Sequence, residues 1–195
     1  MAESRSKKHG KVRKTLVSIL VILLVLCGLA LIFNEQIKSF VVNHISTTAL
    51  NKPISSSKPK KGQFDYDAVR PVDTKDVAKA ATSNAAGSIG KIAIPDVGIH
   101  LPVFYGLAQS NLMRGAGTMK QNETMGEEGN YCLAGHHMED NSILFGPLAS
   151  IGVGAKVYLT DGKNVYTYKV TLKKVVNEDQ VQWLNDVPGQ KLLTL

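Results

Sequence analysis

Cysteine is scarce in this chain: 195 residues contain two, Cys27 and Cys132. Cys27 lies inside a long apolar run. Leu26 precedes it where a lipid-attachment site would want a small residue, so Cys27 reads as a buried apolar side chain. One remaining thiol cannot form an intramolecular disulfide, so whatever follows must be stabilised by a core rather than by cross-links. Several motifs are also lacking. No HExxH, CxxC or EF-hand spacing points to a metal site, and there is no phosphate-cradling glycine loop, no GxSxG and no internal repeat. A basic patch with interleaved aromatics, as a nucleic-acid binder would need, is missing too. The net charge of +7 arises mostly at the start, where Arg5, Lys7, Lys8, Lys11, Arg13 and Lys14 face Glu3 alone. That head supplies +5, so the rest of the chain is near +2 and nucleic acid is not an expected partner.

Thr15 to Phe33, "TLVSILVILLVLCGLALIF", is free of charge. As a helix rising 1.5 Å per residue it would be about 28 Å long, close to the hydrocarbon thickness of a bilayer. A cleaved signal peptide usually has a shorter apolar region ending at small residues, whereas this run exits through "LIFNEQ", so an uncleaved anchor is the better reading. The positive-inside rule then places residues 1–14 in the cytoplasm, 15–33 in the membrane and the remainder outside. Residues 34–85 read as a stalk and linker. Ile37, Phe40, Val41, His44 and Ile45 suggest a weak helical stripe. "NKPISSSKPKKGQ" follows with solvated Lys58, Lys60 and Lys61, and "TKDVAKAATSNAAGS" reads as a short helix capped by Thr74.

Residues 86–195 read as the folded domain. "IGKIAIP" and "GIHLPVFYG" are short apolar strands joined by the turn "PDVG", and "EEGNYCLAGH" is an apolar run opened by a turn. Asp161-Gly162 marks a hairpin between Val157–Leu159 and a long strand in which Tyr166, Tyr168, Val170 and Leu172 alternate with polar residues. "DQVQWLNDV" suggests a brief helix, and "QKLLTL" begins another strand. Many short strands with few helices predict an all-β barrel or sandwich.

Chemistry concentrates in "NYCLAGHHM", residues 130–138. On a strand Cys132, Ala134 and His136 share one face and His137 points away. The small pair Ala134-Gly135 would let another chain approach beside the imidazole. His136 is thus either a catalyst or a hydrogen-bonded residue at a strand end. Glu139 and Asp140 beside the histidines lack metal-ligand spacing. Glu123, Glu127 and Glu128 read as a solvated acidic loop rather than a cation site.

The basic head, the anchor, "GKIAIP", "NLMRGAGTM" and "NYCLAGH" in this order, and the closing "KLLTL" resemble a class A sortase of a Gram-positive bacterium. That resemblance implies an eight-stranded β-barrel transpeptidase on the outer face of the membrane. It also implies cleavage of LPXTG-type sorting signals of secreted proteins between threonine and glycine. A cysteine thioester would form and be resolved by an amino group of a cell-wall precursor. The family's "AGH" histidine falls on His136. Its nucleophile belongs to a "TLxTC" motif and its arginine to the following strand, whereas "LLTL" reaches Leu195 where the motif would need two more residues and then the cysteine. The barrel is therefore expected to be incomplete, lacking nucleophile and catalytic arginine, and inactive. Arg114, far upstream, cannot take the arginine's role, and Cys132 stands about 13 Å from His136 at strand rise. The alternative is a non-catalytic, membrane-tethered peptide-binding remnant. The coding sequence after the Leu195 codon separates the two. In some relatives acidic residues of the loop before the histidine strand bind calcium. Glu123 and Glu128 correspond in position, but Lys120 intrudes and no metal or other cofactor is expected.

Overall fold

The computed structural model describes residues 3–55, 61–82 and 87–195, which fall into two compact units, Met1–Ile37 and Lys38–Leu195. In the first, helix α1 (Glu3–Ile32) carries the apolar stretch Lys14–Ile32, of mean hydropathy 3.1 and with none of it buried. Among the described residues it is the one helix long and apolar enough to cross a membrane. Unpartnered Leu, Ile and Val side chains at this density are what a lipid-facing helix presents.

Helix α2 (Asn34–Leu50) keeps part of the expected stripe, since Val41 and Ile45 pack against the core, while Ile37, Phe40 and His44 are exposed. Within the second unit it buries Ser39, Val42, Ser46 and Ala49, whereas Phe40 is 74% exposed. Small side chains three or four residues apart allow close approach, so Val42 joins the core and the bulky ring stays outside. Of the proposed linker, Lys58 and Lys60 lie outside the described residues and Lys61 is exposed. From Gly62 onward the chain is bound to the domain. Leu107 donates its N–H to the Gln63 carbonyl at 2.6 Å, Tyr66 donates its hydroxyl to the Met119 carbonyl at 3.0 Å, and the Phe64 ring meets Tyr105 edge-on at 5.0 Å.

Helix α3 (Thr74–Thr82) forms where expected, but its cap is Asp73 rather than Thr74: Asp73 Oδ1 accepts the Asp76 N–H at 2.8 Å. The helix turns Asp76, Val77 and Ala80 inward.

The strands are β1 (Gly90–Ile94), β2 (Ile99–Phe104), β3 (Ala116–Thr118), β4 (Gly129–Ala134), β5 (Lys156–Thr160), β6 (Val165–Lys169) and β7 (Lys191–Thr194). They form one barrel-like sheet of seven strands in the order β6-β5-β1-β2-β3-β4-β7, the all-β architecture read from the sequence. β1 and β2 pair antiparallel across Pro95–Val97, and Gly98 at φ 70° closes that turn. The one-turn helix α4 (Gln109–Leu112) leads from β2 into β3, which runs parallel to it. β6 is shorter than expected and ends at Lys169, opposite Lys156; one residue further Val170 still bonds to Gly154 and Ala155, and the pairing stops there. Leu172 is consequently exposed.

Ile92, Ile94, Ile99, Val103, Leu133, Val157 and Leu159 pack in one core, each nearly inaccessible to water. Leu159→Ala should therefore cost about 2–5 kcal/mol of stability in chemical denaturation. Val175→Ser, at a side chain that is 95% exposed, should change it by less than about 0.5 kcal/mol.

Candidate active site

The strand β4 delivers the site. It ends at Ala134, so the alternation expected to carry through to His136 stops two residues early. The orientation of His136 is set instead by the return of the chain through Phe145. Phe145 donates its N–H to the His136 carbonyl at 3.1 Å, and its ring lies where a Cβ on Gly135 would sit, 2.7 Å away. The close approach that Gly135 permits is thus made by the chain's own phenylalanine. His137 bridges to Leu144 and is exposed, whereas His136 is partly buried. Its Nε2 is inaccessible and has no hydrogen-bond partner among the described residues. Burial holds its pKa below the ordinary histidine value, and the charge of Asp76 opposes that shift. The imidazole is accordingly neutral at neutral pH.

Cys132 is fully buried in mid-strand, and its thiol donates to the Asn130 carbonyl at 3.3 Å. Burial, with the nearby Glu123 charge adding to it, pushes the thiol pKa up to about 12. A thiol that rarely ionises is a poor nucleophile. Arg114 is buried too. It donates from Nε to the Ser110 carbonyl at 2.7 Å and from Nη2 to Asn111 Oδ1 at 3.2 Å, and its guanidinium lies 4.6 Å from the Phe104 ring centroid. These contacts hold α4 against β2.

In the acidic loop Glu127 and Glu128 are exposed as expected, but Glu123 is drawn in. Both Glu123 oxygens accept the Cys132 N–H, at 3.2 and 3.1 Å, and Lys120 Nζ lies 2.9 Å from Glu123 Oε1, 2.9 Å from Asp186 Oδ1 and 3.0 Å from the Leu184 carbonyl. Burial alone would lower the Lys120 pKa, but the hydrogen bonds to Asp186 and Glu123 win and hold it above the ordinary lysine range. For Glu123 burial prevails over Lys120 and raises the carboxyl pKa. An ammonium thus sits among the oxygens of this loop. Among the described residues no group of three or more His, Cys, Asp or Glu side chains is placed to hold a metal ion. The polar hollow beside the loop, lined by Glu123, Glu127, Glu128, Asn130 and Asp186, does not include His136.

Two features of the neighbourhood were not read from the sequence. Asn130, 3% exposed, ties three segments together: its Nδ2 donates to the Trp183 carbonyl at 2.9 Å, its N–H to Asp186 Oδ1 at 2.8 Å, and its Oδ1 accepts the Thr194 hydroxyl at 2.8 Å. β7 pairs parallel to β4, with Gly129 opposite Lys191 and Cys132 opposite Thr194. The other feature is Asp76, which acts on His136 from a helix more than fifty residues earlier. Its place in an alanine-rich helix carries no local signal of that effect.

A model of the sortase domain matches residues 92–195. The chain is 41% identical over 187 residues to a sortase A of Streptococcus agalactiae, spanning 91% of this chain and 76% of that protein. It is 37% identical over 177 residues to a sortase A of Listeria monocytogenes, spanning 88% and 79% respectively. The fold is also that of sortase C-1 from Actinomyces oris, at a TM-score of 0.52 and 19% identity over 81% of this chain and 86% of that one. The fold and these matches together define a family of cysteine transpeptidases. The chain belongs to the sortase family, and within it to class A.

Two outcomes follow from these environments. In a Cys27→Ser background, Cys132 should resist iodoacetamide at pH 8 in the folded protein and react on unfolding, as mass spectrometry would register; ready labelling of the folded form would contradict its burial. His136 has a folded pKa below its unfolded one, so acidification protonates the unfolded chain first. Stability should fall as the pH drops through the ordinary histidine value of about 6.5. His136→Gln should flatten that part of the profile in thermal denaturation.

Proposed function

We propose that this chain is the membrane-anchored part of a sortase that cleaves LPXTG-type sorting signals between threonine and glycine and passes the protein to an amino group of a cell-wall precursor, with His136 carrying the proton. In this reading residues 1–14 are the cytoplasmic head, 15–33 the anchor, 34–85 the stalk and linker, and 86–195 the barrel outside the membrane. The observation that carries it is the parallel register of β4 and β7. Carried forward from the Cys132–Thr194 pair, the register ends at Ala134, the last residue of β4, and His136 follows two residues later. A "TLxTC" motif starting at Thr194 would have its cysteine a matching two residues past the partner of Ala134. Neighbouring strands lie about 4.8 Å apart, which is contact range for a thiol and an imidazole.

The chemistry then follows from the state of the histidine. A neutral imidazole accepts the thiol proton as sulfur attacks the scissile carbonyl. The C–N bond breaks as the imidazolium returns the proton to the departing glycine amine, leaving a thioester. The incoming amine loses a proton to the same imidazole while it displaces the thiolate. Within residues 1–195 Cys132 cannot supply the sulfur, being buried, scarcely ionised and on the histidine's own strand.

Residues 34–195 alone should not cleave an LPXTG peptide, and turnover that vanished in Cys132→Ala would refute that assignment. In a chain carrying the motif cysteine and the arginine strand, His136→Ala should lower kcat at least about 10²-fold, the scale of general acid–base catalysis. His137→Ala should leave it nearly unchanged, and the reverse pattern would move the site.

A further inference from the structure

Positive charge is concentrated on one hairpin. Residues 141–177 carry Lys156, Lys163, Lys169, Lys173 and Lys174 against Asp161 alone, a local +4, whereas the whole chain after the head is near +2. Three of these lysines meet at the open end of the β5–β6 pair. Lys156 and Lys169 stand directly opposite each other on the outer face, and the next pair, Val157 and Tyr168, turns inward. Lys173 reaches back to the same end, donating from Nζ to the Ala149 carbonyl at 2.6 Å. All three are exposed, and among the described residues none makes an ion pair. Asp161 lies at the other end of the hairpin, where it accepts the N–H groups of Lys163 and Asn164 at 2.8 and 2.7 Å. Like charges directly opposite in a sheet repel. Lysine on an edge strand deters pairing with other chains, but Lys156 is on β5, between β6 and β1, so that device does not account for it.

Beside the lysines stands an apolar tip. In "IGVGAK", residues 151–156, Val153 is 69% exposed between Gly152 and Gly154. A Cβ on Gly154 would lie 3.9 Å from Lys169 Cε, which places the tip next to the lysine pair, and a Cβ on Gly152 would meet nothing. We propose that this end of the hairpin docks on the anionic lipid headgroups of the bilayer, with Lys156, Lys169 and Lys173 facing the phosphates and Val153 entering the interface. Cations around an exposed apolar side chain are what contact with an anionic membrane surface requires, whereas a soluble polyanion would leave Val153 without a role. The inference rests on residues 15–33 as the anchor. Tethering raises the local concentration of lipid, so a contact too weak to hold a free domain suffices.

The test uses the full chain carrying Cys27→Ser and Val153→Cys, with bimane attached at position 153, in nanodiscs of phosphatidylcholine alone or mixed with phosphatidylglycerol. Emission should move to the blue in the anionic discs only, and return towards the aqueous value at about 1 M salt, where screening acts within about 3 Å. Lys156→Gln, Lys169→Gln and Lys173→Gln should each weaken docking about fivefold, the worth of one lysine near an anionic surface. Equal emission in the two kinds of disc would overturn the proposal. So would a blue shift in phosphatidylcholine discs on adding soluble polyphosphate, which would mark a polymer site, or one that grows with the number of chains per disc, which would mark a contact between copies. Loss of the chain from the discs on gel filtration would refute the anchor and the docking together; retained chains with unshifted emission would refute the docking alone.

Discussion

The parallel pairing of β4 with β7 is the contact on which the site depends. These strands are adjacent in the sheet but about sixty residues apart in the chain, so the entropy of closing that loop must be offset by what the pairing secures. Much of the offset is polar. Asn130 is buried, and its amide, its carbonyl oxygen and its backbone N–H are each satisfied by the segment 183–194. A buried amide with every partner in place specifies one register, because a slip by one residue would strand it.

The acidic loop reinforces the same pairing from the side. Lys120 reaches Asp186 and the Leu184 carbonyl, while Glu123 accepts the N–H of Cys132 on β4. The loop is therefore neutralised from within by an ammonium, and its carboxylates are engaged rather than held apart by repulsion. The cost is paid at Cys132, whose thiol lies next to a carboxylate and away from water, the opposite of what a nucleophile needs.

At His136 two effects compete. Burial disfavours the charged imidazole, and the carboxylate of Asp76 favours it.

Periodicity and turn chemistry determined most of the sheet. Pro95 and Gly98 close the β1–β2 turn, and Asp161-Gly162 the β5–β6 turn, because local dihedral demands restrict which residues can sit there. The uncharged run after the basic head was legible for the same kind of reason, composition over one continuous segment. Where the sequence misled, a distant partner decided. Phe40 stays outside because smaller residues let α2 approach, Asp73 rather than Thr74 caps α3, and the β6 pairing ends with Val170 against Gly154 and Ala155. Glu123 is buried because Lys120 and the β4 backbone claim it. The neighbours of Asn130 and the link from Asp76 to His136 belong wholly to the tertiary structure. Hydrogen bonds and charges act through space between residues tens of positions apart, and no spacing along the chain encodes that distance.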